Sequence, residues 1–153
     1  MKVLMVCLGN ICRSPVAEGI LKEKINQHQL NVEVDSAGTS GWHDGEHPDP
    51  RSIKNAAKYG VDISKQISRR LQLSDFENFD LIFAMDKNNL QHILAACPPA
   101  FRHKVGLILN VDQPNSNREV PDPYYTEDGF DEVHQLLNAA CDELIKELKK
   151  NTA

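Results

Sequence analysis

The sequence lacks a long hydrophobic segment. Among its 153 residues, no apolar run approaches the roughly 20 residues that a membrane-spanning helix needs. The apolar run at residues 3–8 is too short for a signal peptide, and it leads directly into Gly9-Asn10. We therefore expect a cytoplasmic protein that does not associate with a membrane.

Basic residues are also in deficit. Seventeen Lys and Arg residues stand against 22 Asp and Glu residues, which gives a net charge of −5. Proteins that bind the phosphate backbone of nucleic acids usually carry a basic surplus, so nucleic acid is not an expected partner. A phosphate site in such a chain must be a local arrangement of hydrogen-bond donors.

Paired cysteines are missing as well. The four cysteines lie at positions 7, 12, 97 and 141, and no C-x-x-C pair occurs among them. Structural zinc sites are commonly built from such pairs, and the histidines show no ligand spacing, so we expect no metal. In the absence of a secretory signal, the cysteines are predicted to be thiols and not a disulfide framework.

What the chain does contain is an alternation of predicted strands and helices. Apolar runs predict strands at residues 2–7, 31–39, 79–85 and 104–109. Helical spacing of apolar residues predicts helices after Ser14-Pro15, Asp49-Pro50 and Asp86, and along residues 130–148. This alternation indicates an α/β fold with a parallel sheet and helices on both faces. Without repeats or linkers, residues 1–153 are predicted to form a single domain.

The loop after the first strand carries the strongest chemical signal. Cys7 and Arg13 are separated by five residues, and Ser14-Pro15 is predicted to cap the following helix. Such a loop can direct its backbone N–H groups inward as an anion-binding nest, to which Arg13 adds a fork for two phosphate oxygens. The same N–H groups and the Arg13 cation favour the thiolate form of Cys7, which can attack phosphorus and form a phosphocysteine. The Ser14 hydroxyl could donate to that sulfur.

A buried cysteine beside a surface arginine would give the same spacing without any function. The turn-forming Gly9 and Asn10 and the helix cap that follows favour the anion-binding loop. A Walker-type nucleotide site is excluded, because no Gly-Lys-Ser/Thr segment follows the strand.

Several segments resemble one known family. Residues 6–15, Val-Cys-Leu-Gly-Asn-Ile-Cys-Arg-Ser-Pro, followed by Ala17-Glu18, resemble the signature of the low-molecular-weight protein tyrosine phosphatases. Residues 36–39 (Ser-Ala-Gly-Thr), Met85-Asp86 and residues 122–125 (Asp-Pro-Tyr-Tyr) are similar to its other motifs, so the resemblance covers essentially the whole chain. It implies a three-layer, doubly wound fold with a four-stranded parallel sheet, phosphotyrosine phosphatase I-like, with no metal and no cofactor.

The resemblance also implies roles for individual residues. Asp122, held between two prolines, would otherwise be read as a structural turn residue. The resemblance makes it the general acid, beside Cys7 as nucleophile and Arg13 as phosphate clamp. We expect tyrosine-phosphorylated proteins as substrates, inorganic phosphate as product and a monomeric enzyme.

Further residues are predicted to surround the substrate. By resemblance, Tyr124 and Tyr125 form one wall of the pocket mouth. Trp42 lies in a loop that offers little core to bury it, so we predict that it forms the second wall. Asn10 and Ser36 resemble the pair that holds the phosphate loop in shape. The phosphate loop, residues 7–14, is completed by Leu8, Gly9, Ile11, Cys12 and Ser14.

Other residues receive weaker assignments. Asp49 and Arg51 resemble loop residues near the mouth, although Asp49 also fits a plain helix cap. Asp86 is interpreted as a structural cap of its helix. Cys12 is predicted to contribute only a backbone N–H to catalysis, and to capture an oxidised Cys7 as a disulfide.

Three alternatives remain open at this point. An arsenate reductase would need a close cysteine pair near the middle of the chain, where only Cys97 occurs. A phosphoarginine phosphatase of the same family resembles this loop but has threonine at the position of Ile11. A catalytically dead phosphate-binding module would not need nucleophile, clamp and acid together.

Overall fold

A computed structural model describes residues 1–125 and 129–152, with Tyr125 described by its backbone alone. Within these residues the chain forms four strands, β1 (Lys2–Cys7), β2 (Glu33–Gly38), β3 (Leu81–Ala84) and β4 (Val105–Leu107). Every pairing is parallel, and the strands lie in the order β2-β1-β3-β4. The helices are α1 (Arg13–Gln27), α2 (Pro50–Lys58), α3 (Leu73–Asn78), α4 (Lys87–Ala96), α5 (Leu109–Asp112) and α6 (Gly129–Thr152).

Strand β1 lies at the centre of the sheet, and its side chains divide the core into two layers. Val3 and Met5 pack with apolar residues of α1, α2, α5 and α6 on one face. Leu4 and Val6 pack with Phe76 of α3 and Ile93 of α4 on the other. Because both faces are covered, β1 is a continuous apolar run and does not alternate with polar residues. The predicted α/β fold, with a four-stranded parallel sheet between two helical layers, is confirmed.

Three of the four predicted strands were too long at their ends, whereas the strand predicted at residues 2–7 matches β1. Residues 31–39 and 79–85 pair only over Glu33–Gly38 and Leu81–Ala84. The predicted strand at 104–109 pairs only over Val105–Leu107, because Ile108 already has helical dihedral angles and is the cap residue from which α5 starts at Leu109. Helix α3 was not predicted at all, since a six-residue segment is too short to show helical periodicity.

The final helix α6 buries an apolar face that includes Phe130, Leu137 and Leu148, as predicted for residues 130–148. Its other face carries charged residues. In the part of the chain that the structure describes, no helix has both the length and the apolar character required to cross a membrane.

Candidate active site

The site begins where β1 ends and α1 starts. Cys7 is the last residue of β1, and it is buried with 3% of its surface exposed. Helix α1 begins at Arg13, so the phosphate loop curls between the carboxyl end of the central strand and a helix N-terminus. This position places the unpaired N–H groups of the first helical turn, and the positive end of the helix dipole, next to the Cys7 sulfur.

The prediction that Ser14 caps α1 was wrong. The helix starts two residues earlier, Cys12 occupies the cap position, and no side chain accepts a cap hydrogen bond there. Ser14 lies inside the first turn, with its Oγ 3.0 Å from Cys7 Sγ. Pro15 is then the third helical residue, where its missing N–H has no intrahelical partner to lose.

Asn10 shapes the phosphate loop. Its φ angle is 56°, in the left-handed region that only a few non-glycine residues adopt. Its backbone N–H donates to Cys7 Sγ at 3.3 Å, and its side-chain Nδ2 donates to Ser36 Oγ at 2.9 Å. The predicted pair of Asn10 and Ser36 is therefore in direct contact, with both side chains buried behind the loop.

Strand β2 must approach this loop closely. A Cβ on Gly38 would lie 2.8 Å from the carbonyl oxygen of Leu8 and 3.2 Å from the backbone N of Asn10. Just after Gly38, the backbone N–H of Thr39 donates to the Cys7 carbonyl at 2.9 Å. The glycine is required here because any side chain would push the loop away from β2.

Arg13 is buried and held from two sides. Its Nη1 donates to Asp86 Oδ2 at 2.7 Å and to the Val120 carbonyl at 2.9 Å, and its Nη2 lies 3.7 Å from Asp122 Oδ2. Burial lowers the pKa of Arg13, but the negative charge on Cys7 and the hydrogen bond that Arg13 donates to Asp86 outweigh it and hold that pKa above its usual range. The guanidinium is therefore a fixed cation beside the sulfur.

Asp86 has two contacts where one was predicted. Its Oδ1 accepts from the Asn89 backbone N–H at 2.7 Å, so it caps α4 as expected. Its Oδ2 also orients Arg13. The second contact joins residues 73 positions apart, which no local pattern could indicate.

Asp122 lies at the mouth of the pocket. It precedes a short 3₁₀ turn, Pro123–Tyr125, and its Oδ1 accepts from the Tyr124 backbone N–H at 3.0 Å. Its other oxygen faces Arg13, and its side chain is 35% exposed. A partly exposed carboxylate next to a buried cation is positioned to exchange a proton with a molecule that enters the pocket.

Most of the predicted site residues line one pocket of about 160 Å³. The pocket is lined by Cys7, Leu8, Gly9, Ile11, Cys12, Arg13, Trp42, His43, Asp122 and Tyr124. Trp42 is 78% exposed and Tyr124 39% exposed, so two aromatic rings stand beside the opening. Tyr125 was also predicted to form this wall, but its side chain lies outside the described part of the structure.

His43 was not predicted as part of this pocket. Its Nδ1 lies 2.9 Å from Glu46 Oε2, and its ring would lie 3.0 Å from a Cβ placed on Gly9. The sequence offered one weak signal, since His43 directly follows the predicted wall residue Trp42.

The mouth of the pocket is braced by an ion pair. Asp49 caps α2 by accepting from the Arg51 backbone N–H at 2.9 Å, and its carboxylate also pairs with the Arg51 guanidinium. Hydrogen bonds from the Arg51 side chain hold the pKa of Asp49 below its usual range. Arg51 Nη2 also donates to the Tyr124 carbonyl at 3.0 Å, which links α2 to the aromatic wall.

Cys12 is chemically unlike Cys7. It packs with Ile11 and Phe130, and burial together with the negative charge of Asp49 raises the pKa of Cys12 to about 12. Its thiol is therefore protonated at neutral pH. Within the described residues all four cysteines are free, and no group of three His, Cys, Asp or Glu side chains is close enough to hold a metal ion.

We expect Cys12→Ser to leave the chemistry of the pocket intact but to recover poorly after peroxide treatment. Peroxide should convert a Cys7 thiolate to a sulfenic acid, with which the Cys12 thiol should condense to give a disulfide and water. Because the pKa of Cys12 is about 12, the rate of this capture should rise about tenfold per pH unit near neutrality. Peptide mapping and reductant recovery test this, and unchanged recovery in Cys12→Ser would limit Cys12 to loop geometry.

This chain resembles known proteins over most of its length. The family model described as "low molecular weight phosphotyrosine protein phosphatase" matches residues 2–153. The enzyme of that name from Schizosaccharomyces pombe is 43% identical over 140 residues, 89% of each protein. Low molecular weight phosphotyrosine protein phosphatase 1 of Drosophila melanogaster is 38% identical over 149 residues, 95% of this chain and 96% of that protein.

A crystal structure gives the same result. A protein tyrosine phosphatase from Entamoeba histolytica, solved with Hepes in its active site, superposes with a TM-score of 0.94 and 42% identity. The match covers 100% of this chain and 99% of that one. This chain therefore belongs to the low molecular weight phosphotyrosine protein phosphatase family, a family of hydrolases.

Proposed function

We propose that this chain is a cytoplasmic enzyme that hydrolyses phosphotyrosine in proteins, as a monomer and one catalytic domain over residues 1–153, without a cofactor. The observation that carries this proposal is the arrangement of three groups around one pocket. Cys7 and Arg13 line the pocket and are both buried, and the partly exposed Asp122 carboxylate lies 3.7 Å from the Arg13 guanidinium.

The mechanism proceeds in two displacements at phosphorus. The phosphate dianion binds the backbone N–H groups of the phosphate loop and the fork of Arg13. The Cys7 thiolate attacks phosphorus, while Asp122 gives its proton to the phenolic oxygen that leaves. In the second step Asp122 removes a proton from water, which attacks the phosphocysteine and releases inorganic phosphate and the thiolate.

The walls of the pocket account for the preference for an aromatic ester. Trp42 and Tyr124 offer two aromatic surfaces between which a phenyl ring can stack. Ile11 adds an apolar edge within the phosphate loop. We expect a serine ester to be too short to bring its phosphorus to Cys7 while its peptide backbone stays outside the mouth.

A substrate panel tests the proposal. Phosphotyrosine, phosphoserine and phosphoarginine peptides, and arsenate with a thiol reductant, are offered with and without a chelator. We expect turnover of phosphotyrosine far above the others and no effect of chelation. Comparable rates on phosphoserine or phosphoarginine would refute the assigned specificity, and arsenate reduction without ester hydrolysis would favour a reductase.

The role of Asp122 predicts a dependence on the leaving group. Asp122→Ala should slow phosphorylation of the enzyme by phosphotyrosine about 10²–10³-fold, as expected for loss of a general acid. Aryl phosphates with very acidic phenols should lose much less, because their phenolates leave without a proton. Single-turnover measurements isolate this step from hydrolysis of the phosphocysteine.

Asp44→Ala is a matched control, since Asp44 is an exposed carboxylate on the Trp42 loop and does not line the pocket. It should leave the leaving-group dependence unchanged. Equal losses across the phenol series in Asp122→Ala would assign the acid to another residue.

A further inference from the structure

Glu18 is a buried carboxylate to which the mechanism above gives no role. It is 3% exposed and lies four residues after Ser14, so both side chains project from the same face of α1. Its Oε1 accepts a hydrogen bond from Ser36 Oγ at 2.7 Å, and its Oε2 pairs with Lys22. A carboxylate is seldom buried so completely unless its hydrogen bonds are specific.

The donors and acceptors around Asn10 have only one consistent arrangement. The Arg69 backbone N–H, which can only donate, bonds the Asn10 Oδ1 atom at 3.0 Å and so fixes the orientation of the amide. The two hydrogens on Nδ2 then point to Ser14 Oγ at 2.8 Å and to Ser36 Oγ at 2.9 Å. Both serine oxygens are therefore acceptors toward Asn10.

Each serine has one hydrogen left to donate. Ser14 has Cys7 Sγ at 3.0 Å, so its hydroxyl donates to the nucleophile. Ser36 has Glu18 Oε1, and an ionised carboxylate can only accept. Five side chains thus form one continuous chain of hydrogen bonds. Asn10 at its centre donates to both serines, and each serine donates outward, Ser14 to the Cys7 sulfur and Ser36 to Glu18.

We propose that Glu18 is a positioning residue for the Cys7 thiolate, because as terminal acceptor it holds Ser36 in the rotamer that accepts from Asn10. This inference rests on the proposed role of Cys7 as nucleophile. Without Glu18, the buried Ser36 hydroxyl has no acceptor for its hydrogen and rotates to find one. Asn10 then loses one of the hydrogen bonds that keep it in the left-handed conformation. As a result, the hydrogen bonds that the Asn10 backbone N–H and the Ser14 hydroxyl donate to the Cys7 sulfur become less well aligned.

The charge of Glu18 and its hydrogen bond have opposite effects on Cys7. A nearby carboxylate disfavours a thiolate, so loss of the charge alone would let Cys7 ionise at lower pH. Loss of the hydrogen-bond chain would make Cys7 ionise at higher pH. The direction of the shift therefore separates a positioning role from an electrostatic one.

The test measures the rate of Cys7 alkylation by iodoacetamide against pH, with inorganic phosphate as protecting ligand, in Glu18→Ala and Glu18→Gln. We expect Glu18→Ala to move the alkylation midpoint up by about one pH unit and to lower kcat/KM about tenfold, the effect of weakening one hydrogen bond to an ionised group. Glu18→Gln keeps an acceptor oxygen for Ser36 and should restore both values to near those of the wild type.

Two results would overturn the proposal. A midpoint that moves to lower pH in both variants would assign Glu18 a purely electrostatic effect. A lower melting temperature with an unchanged midpoint would make it a structural residue of α1. Glu23→Gln, an exposed carboxylate on the same helix, is the matched control and should change neither value.

A double-variant comparison makes the route explicit. Ser36→Ala already breaks the chain, so adding Glu18→Ala to it should not move the midpoint further. An additional shift would show that Glu18 does not act through Ser36. If Glu18→Ala does not fold, Glu18→Met, which fills similar volume without a strong acceptor, replaces it in both experiments.

An error in the proposed function would be detected in the wild-type protein, without any variant. If Cys7 is not the nucleophile in a phosphate site, wild-type alkylation at Cys7 would not be blocked by phosphate. If phosphate protects the wild type, and Glu18→Ala has the alkylation midpoint and kcat/KM of the wild type, only the role of Glu18 is refuted.

Discussion

Cys7→Ser should abolish turnover of phosphotyrosine, by about 10⁴-fold or more, while phosphate binding persists. A serine hydroxyl at this position stays protonated at neutral pH and leaves poorly from a phosphoester, so both displacements fail. The groups that bind phosphate are separate from the sulfur, because they are the loop N–H groups and the Arg13 fork. Single-turnover kinetics and calorimetric binding of phosphate measure the two properties independently.

Cys97→Ser is the matched control for this change. Cys97 is also a buried thiol, but it ends α4 and does not line the pocket. It should retain full activity and full phosphate affinity. A Cys7→Ser protein that kept a substantial fraction of activity would contradict the assignment of the nucleophile, and one that lost phosphate binding would contradict the separation of binding from attack.

The sequence predicted the parts of the fold that depend on local patterns. The run Lys2–Cys7 and the apolar spacing after it identified β1 and α1 because each pattern is contained in one element. The ends of strands depend on neighbouring strands, which explains why residues 108 and 109 were placed in the fourth predicted strand although Ile108 caps α5 and Leu109 begins it. Ser14 was assigned as a cap because its position before Pro15 is typical of caps, but the nearby sulfur provides a competing partner for its hydroxyl.

The phosphate loop was predicted for the same reason, since its residues are consecutive. The groups that support it come from distant segments. Asp86 reaches Arg13 from α4, Ser36 and Glu18 meet from β2 and α1, and His43 lies against the loop from the Trp42 segment. Asp86 shows the difficulty most clearly, because its helix-cap pattern was correct and left no local sign of its second contact.

Arg13→Ala should lower kcat/KM for phosphotyrosine roughly 10³–10⁴-fold and weaken phosphate binding. The substitution removes a cation that can donate two hydrogen bonds to the phosphoryl group. In a buried site, few other groups can stabilise the negative charge of the transition state. Arg13→Lys should recover only part of the loss, because an ammonium group cannot contact two phosphate oxygens in the plane of a fork. The split between kcat and KM and the phosphate affinity are the quantities to measure.

The same substitution should also destabilise the fold, and this effect can be separated from catalysis. Without Arg13, the carboxylate of Asp86, only 20% exposed, loses its cation, at a cost of about 2 kcal/mol after allowance for its partial solvation. Asp86→Asn in the Arg13→Ala background removes the unpaired charge, and asparagine still caps α4. The double variant should therefore regain stability in urea unfolding without regaining activity. If activity returned together with stability, Arg13 would act through the fold, and the phosphate clamp would have to be sought among other groups.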